Sequence, residues 1–181
     1  MAEPGGADLV ARAQAGDAEA IGQLYDQHHE ALFRYVCARV GERQLAEDLT
    51  GEVFMRMLNA LPRYRATAAP FRAWLYQIAR NLLVDHYRKV SGQVMLPLQQ
   101  AETAEVEPGD IAALVEQQLT LERVHQALVL LDETQREVVT LRFLSGLSLQ
   151  EVAAALGKTE AAIKALQHRG LAALREILTQ P

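Results

Sequence analysis

From Ile21 to Val40, apolar residues recur at helical spacing, with Ile21, Leu24, Tyr25, His28, Leu32 and Val36 on one stripe. A period near 3.6 residues gathers such positions on one face of an α-helix. Asp17 stands just ahead, where a short carboxylate can cap free N–H groups, and Gly41 stands where the chain must leave the helix. The next run is cleaner, because Leu45, Leu49, Val53, Met57 and Leu61 repeat every four residues until Pro62, which cannot continue a helix. Its opposite face carries Asp48, Glu52 and Arg56. After the loop RYRATAAP, a third run turns Phe71, Trp74, Leu75, Ile78 and Leu82 inward and presents Gln77, Arg80, Asn81, Val84 and Arg88 on another face. These three amphipathic helices predict one core.

Residues 91–115, SGQVMLPLQQAETAEVEPGDIAALV, have no Lys or Arg, two prolines, two glycines and no sustained period, which reads as a flexible acidic linker. Beyond it, Leu119 to Leu131, Gln135 to Leu144, Ser148 to Leu156 and Thr159 to Leu178 read as four helices in one compact unit. Nowhere does the pattern alternate as a strand requires. The expected fold is all-α, with two small helical domains, 1–90 and 116–181, on either side of the linker.

Charge sharpens this picture. A net charge of −5 speaks at first against a nucleic-acid partner. Its distribution reverses that, since Arg63, Arg65, Arg72, Arg80, Arg88 and Lys89 face only Asp85 within residues 61–90, and both flanking stretches are acidic. The basic block suits a polyanion, and an acidic flank is free to meet a basic protein surface. Tyr64, Phe71, Trp74, Tyr76 and Tyr87 are interleaved with those cations, a mixture suited to unstacked bases and single strands. Phe71, Trp74 and Tyr87 are equally explained as core residues, and Trp74 lies on the apolar stripe with Phe71 and Ile78.

The most informative stretch is LSLQEVAAALGKTEAAIKALQHRGLAALREIL. Ser148 followed by Glu151 is a capping box, Val152 and Leu156 give a short helix its apolar face, and Ala153 is small where helices approach closely. Gly157 suits a tight turn, and Thr159 can cap a second helix whose Ile163, Leu166, Gly170, Leu174 and Leu178 turn inward. This is a helix-turn-helix pattern, departing only at Lys158, where an apolar residue is usual. Lys164, Ala165, His168 and Arg169 are left near the outer face, as groups for a major groove. An isolated trio of Lys, His and Arg would merely solvate a helix, but the N-terminal half of a second helix favours DNA contact.

Several functions are disfavoured. Cys37 is the single cysteine, so there is no intramolecular disulfide and no cysteine-based zinc site, and the residue is expected to be a small core side chain. His28 and His29 lack ligand spacing, and no phosphate loop or nucleophile setting appears, so an enzyme, a cofactor or a metal is not expected. The start MAEPGGADLV resembles no targeting segment, and no run approaches the roughly 18 apolar residues of a membrane span. A cytoplasmic protein without membrane insertion is the expectation.

At this point the chain resembles the sigma-70 family of RNA polymerase sigma factors, specifically the extracytoplasmic function (ECF, group IV) type. Three ordered pieces carry the likeness: AEDLTGEVFMRML, FRAWLYQIARNLLVDHYRK, and the helix-turn-helix preceded by LDETQREVVTLRFLSGLS. Together they cover nearly everything from Asp8 to Leu178. With no further domain ahead of the first motif and only a linker between the halves, the minimal ECF class is expected. The resemblance implies that 1–90 is region 2 and 116–181 is region 4, and that Asp48, Glu52 and Met55 dock on the clamp helices of the polymerase β′ subunit. It implies that the loop from Arg65 to Pro70 with Phe71, and the helix bearing Arg80, Asn81, Asp85 and Arg88, read the −10 element and help hold melted strand. Thr159, Lys164, Ala165, His168 and Arg169 then face the −35 element, and the linker threads toward the RNA exit channel. The implied partners are core RNA polymerase through β′ and β, promoter DNA and an anti-sigma factor. Gly51 and the loop RYRATAAP depart from the family pattern. The other reading, a stand-alone helix-turn-helix regulator, would bind duplex DNA by itself and leave the basic, aromatic block without a task.

Overall fold

The computed structural model describes residues 6–66, 69–92, 123 and 125–179. The described elements are α1 (Gly6–Gln14), α2 (Ala18–Val40), α3 (Arg43–Ala60) with a 3₁₀ turn (Leu61–Arg63), and α4 (Phe71–Gly92). A helical stretch over 125–129 follows, then α5 (Glu133–Val139) running into a π-helical turn (Thr140–Leu144), α6 (Leu149–Leu156) and α7 (Glu160–Thr179). No strand occurs among the described residues. The fold is all-α, as the periodicity predicts. Most of the expected linker, and residues 119–122 and 124 of the helix expected after it, lie outside the described residues; residues 91–92 close α4.

Local chemistry explains most of the boundaries. The Asp17 carboxylate accepts from the backbone N–H groups of Glu19 and Ala20 at 3.0 and 3.2 Å, which starts α2. Gly41 ends it with φ 75°, and a β-carbon there would lie 2.5 Å from Nε2 of His125. Both conformation and space therefore demand glycine. Asp132 caps α5 by accepting from Thr134 N–H at 3.0 Å, so that helix begins two residues before the expected Gln135. Its last turn widens, with Ser145 N–H reaching Thr140 O at 3.1 Å.

The expected apolar stripes are buried. Leu24, Leu32 and Val36 of α2 join Leu49, Val53, Met57 and Leu61 of α3 and its turn, and Leu75 and Leu82 of α4. Two positions depart from the expected faces. Tyr25 is 42% exposed, and Gln77, expected to face outward, donates from Nε2 to Ala154 O of α6 at 2.9 Å. α1 was not expected. It packs by Leu9, Val10 and Ala13, and Gln14 Nε2 donates to Leu61 O and Tyr64 O at 3.0 and 2.9 Å.

One hydrophobic cluster runs through α1 to α4 and continues into Val138, Leu141, Leu147, Val152, Ala153 and Ile163. The two halves are thus closed on one another. At the seam lie buried polar groups: Tyr35 donates to the Glu137 carboxylate, and Arg39 pairs with Glu133 and Glu137. Burial, then the Glu137 charge, push the Tyr35 hydroxyl well above its ordinary pKa, so it stays a donor.

The helix-turn-helix forms as the sequence predicts. Ser148 Oγ accepts from Glu151 N–H at 3.1 Å while Glu151 accepts from Ser148 N–H at 2.7 Å, and Gly157 has φ 61°. Ile163 is buried, whereas Leu178, expected inward, is 59% exposed, the inward place in the last turn of α7 being taken by Ile177, which packs on the cluster of Leu128, Leu131 and Val139. Gly170 is buried, and a β-carbon there would meet Val139 Cγ2 at 2.8 Å. Gly170→Leu is therefore expected to destabilise by about 1–3 kcal/mol through overpacking, despite the roughly 0.8 kcal/mol helix-propensity gain. A lowered urea midpoint with an unchanged slope checks it.

Candidate nucleic-acid interface and docking face

α7 begins under Thr159, whose Oγ1 accepts from Ala162 N–H at 3.2 Å. That bond commits the hydroxyl to capping and fixes the start of the recognition helix. Lys164, Ala165, His168 and Arg169 follow on one face, and all four are exposed. The opposite face packs through Ile163 and Leu166, and Arg142 Nε donates to Gln167 Oε1 at 3.1 Å, holding α7 against the π-helical turn. Lys and Arg on such a face can donate to guanine edges or phosphates, and His to either.

On α4, Arg80, Asn81, Val84, Asp85 and Arg88 line one shallow depression of about 460 Å³. The structure thus brings together four of the predicted −10 residues. It does not bring Phe71 to them. The Phe71 ring is half-buried, with centroids 5.4 Å from His28, 5.7 Å from Tyr64 and 5.7 Å from Trp74. Arg65 is exposed at the start of the loop, of which residues 67–68 lie outside the described residues. The aromatics interleaved with the basic residues are mostly packed: Tyr76 is buried, Tyr64 donates to Ala69 O at 2.7 Å, and Tyr87 donates to Arg39 O.

The residues predicted to dock lie on α3. Asp48 and Glu52 are exposed, and Met55, 61% exposed, places a pliable apolar side chain beside them. Arg56, which the sequence placed on this face but not among the predicted docking residues, ties this face to the other. It donates to Glu52 Oε1 at 3.0 and 2.9 Å and lies 3.7 Å from Asp85. The i, i+4 spacing of Glu52 and Arg56 was a visible signal, while the contact to Asp85 needed the tertiary fold. Exposed pairs of this kind add roughly 0–1 kcal/mol each, so the arrangement orients more than it stabilises.

His28 is half-buried, with its ring centroid 5.4 Å from that of Phe71. Burial, with Arg72 adding to it and Glu151 opposing, lowers its pKa from 6.5 to about 4. A base whose folded pKa is depressed takes up its proton more readily once unfolded. Its stabilising effect is complete above about pH 6.5 and falls as pH drops toward 4. The expected result is a loss of about 1–2 kcal/mol between pH 7 and pH 5, at most about 1.4 per pH unit. His28→Gln flattens that slope in urea titrations at several pH values.

Among the described residues there is no cluster of three metal-ligating side chains and no helix long and apolar enough to cross a membrane. Cys37 is free and half-buried, its thiol pKa raised by burial.

Two helical halves, a basic α4 face and a terminal helix-turn-helix define the class of protein. Residues 24–92 match the Sigma-70 region 2 family and residues 127–176 the Sigma-70, region 4 family. The chain is 41% identical, over 94% of its length, to the ECF RNA polymerase sigma factor BldN of Streptomyces coelicolor, of which it spans 65%. It is 35% identical, over 93% of its length, to the ECF RNA polymerase sigma factor SigD of Mycobacterium tuberculosis, of which it spans 81%. A solved chain of CnrH, in complex with the cytosolic domain of CnrY, is 30% identical with a TM-score of 0.74, covering 94% of both chains. The sigma factor RpoE in complex with the anti-sigma factor NepR, from Bartonella quintana, shares the fold at 24% identity and a TM-score of 0.66, over 87% of this chain and 95% of that one. The chain belongs to the sigma-70 family as an ECF sigma factor. A stand-alone regulator would not account for the region 2 match across the first half.

Proposed function

We propose that this chain binds core RNA polymerase and directs initiation at promoters that carry paired −10 and −35 elements. The observation that carries the proposal is the separation of three exposed surfaces: the acidic face of α3, the Arg80–Arg88 depression of α4, and the Lys164–Arg169 face of α7. Asp48, Glu52 and Met55 dock on the β′ clamp, and region 4 meets the β subunit. Arg65, Arg80, Asn81, Asp85 and Arg88 read the −10 element, with Phe71 bracing the reading helix from within its aromatic cluster. Lys164, Ala165, His168 and Arg169 read the −35 element from a helix whose start Thr159 fixes. Residues 1–90 and 116–181 form the two functional domains. The protein catalyses nothing itself, needs no cofactor and works in the cytoplasm beside the polymerase. A complex of a related fold with an anti-sigma factor supports such a partner here.

Run-off transcription with core polymerase on a pool of genomic promoter fragments tests the reading. The expected result is a set of transcripts sharing two upstream elements. Failure of core to gain specificity, with duplex binding by the protein alone, returns the regulator reading.

A further inference from the structure

α1 takes no part in the docking face or in either DNA-reading face, but its last residue is bound to the loop that leaves α3. Gln14 is half-buried, and its carboxamide Nε2 donates to Leu61 O at 3.0 Å and to Tyr64 O at 2.9 Å. An amide nitrogen carries two N–H groups, so both are engaged. Leu61 O also accepts from Tyr64 N–H at 3.0 Å within the 3₁₀ turn. Tyr64 O lies past the end of that turn, where the helix offers no N–H to it, and the Gln14 amide takes that place.

The side chain of Tyr64 closes the loop from the other side. Its hydroxyl donates to Ala69 O at 2.7 Å, and its ring packs 4.7 Å from Trp74 and edge-on to Phe71 at 5.7 Å. Burial raises the pKa of that hydroxyl, so it stays a donor. At the far end Trp74 N–H donates to Pro70 O at 3.0 Å, where α4 begins. The loop is therefore held where it leaves the turn, across its neck and where it joins α4.

The consequence falls on Arg65. Peptide units are planar, so Tyr64 O and Arg65 N share one rigid plane. Fixing Tyr64 O, with Tyr64 extended at φ −61° and ψ 138°, fixes the direction in which Arg65 leaves the turn. Arg65 and Ala66 are themselves exposed. A reading group must be held within about 0.5 Å of its productive place, and loops hold such groups less well than helices do. The bonds from Gln14 and Tyr64 supply that precision from behind, and Gln14, with both N–H groups engaged, has no donor left for DNA. α1 is in turn seated by Leu9, Val10 and Ala13, while Arg12 pairs with Asp17 at the head of α2.

We propose that Gln14 is a positioning residue for −10 recognition: it fixes the exit of the α3–α4 loop, and the Tyr64 hydroxyl closes that loop, so that Arg65 meets one preferred base. This role rests on the proposed reading of the −10 element by Arg65 and its loop. It gives α1 a task in base preference, separate from docking and from the −35 contacts.

The test uses the full chain with core polymerase and run-off transcription, on the cognate promoter and on panels of single-base −10 and −35 variants. Gln14→Met keeps the reach of the side chain but donates nothing, and Tyr64→Phe keeps the ring but loses the hydroxyl. Each is expected to flatten the ratio between cognate and −10 variant templates by at least about threefold at one or two positions, the scale of a neutral hydrogen bond. Arg65→Ala is expected to flatten the ratio at the same positions. Ratios across the −35 panel and co-purification with core are expected to stay as in the wild type. A ratio between templates does not depend on how much of a variant is folded, so instability cannot imitate this pattern. Wild-type −10 ratios in either Gln14→Met or Tyr64→Phe, or an equal flattening of both panels, overturn the positioning role. A wild-type protein indifferent to −10 changes, or an Arg65→Ala variant that discriminates as the wild type does, overturns instead the −10 reading on which that role rests.

Discussion

Asp48→Arg combined with Glu52→Arg is expected to abolish stable association with core polymerase. Both residues lie exposed on α3, four positions apart and therefore on one face, with Met55 beside them. An acidic helix face that meets a basic surface gains mainly in steering and register, but like charges forced together there cost several kcal/mol. Turning two carboxylates into guanidinium groups should therefore weaken binding by at least about 100-fold, since each 1.4 kcal/mol is tenfold. The fold should survive. Neither side chain is buried, and the only described bonds at risk are the exposed ones from Arg56 to Glu52. Co-purification with core, checked against unchanged far-ultraviolet dichroism, decides the matter. A double variant that still co-purifies normally removes α3 from the docking role.

The features legible in the sequence were those whose constraints are local. The helix-turn-helix could be read because a capping box, a small residue and a glycine of positive φ are demanded by backbone geometry within a few positions. The stripe of α3 could be read because four-residue repetition admits one buried face. Tyr35 and Arg39 could not. They sit on the flank of the α2 stripe, and only Glu133 and Glu137, about a hundred positions away, make burial of a hydroxyl and a guanidinium tolerable. Gln77 was assigned outward for the same reason, because the surface that covers it belongs to α6. α1 escaped because Leu9, Val10 and Ala13 are too few to display a period. Of the candidate site, α7 and most of the α4 face were legible as exposed positions on amphipathic helices. Phe71 was not, because an aromatic residue at a helix start fits both a stacking platform and a core, and its contacts with Tyr64 and His28 decide for packing.

That local legibility gives the recognition helix the sharpest expected result. Lys164→Ala, His168→Ala and Arg169→Ala should each weaken −35 recognition by about 1–3 kcal/mol where the side chain contacts a base, or roughly 5- to 150-fold in promoter occupancy. All three side chains are exposed, and none appears in the described packing of α7, whose apolar face and Gln167 contact lie elsewhere. Stability should therefore change by no more than about 0.5 kcal/mol. Salt dependence separates the roles. A residue on a phosphate weakens all promoters alike and lowers the salt slope by about one, whereas a residue on a base edge loses discrimination at one position. Arg169, with a planar fork suited to guanine, is the better candidate for base contact, and Lys164, a flexible point charge, for phosphate. Transcription from the cognate promoter and from −35 point variants, measured at two salt concentrations, resolves both. Should all three variants transcribe as the wild type does, the outer face of α7 is not what reads the upstream element.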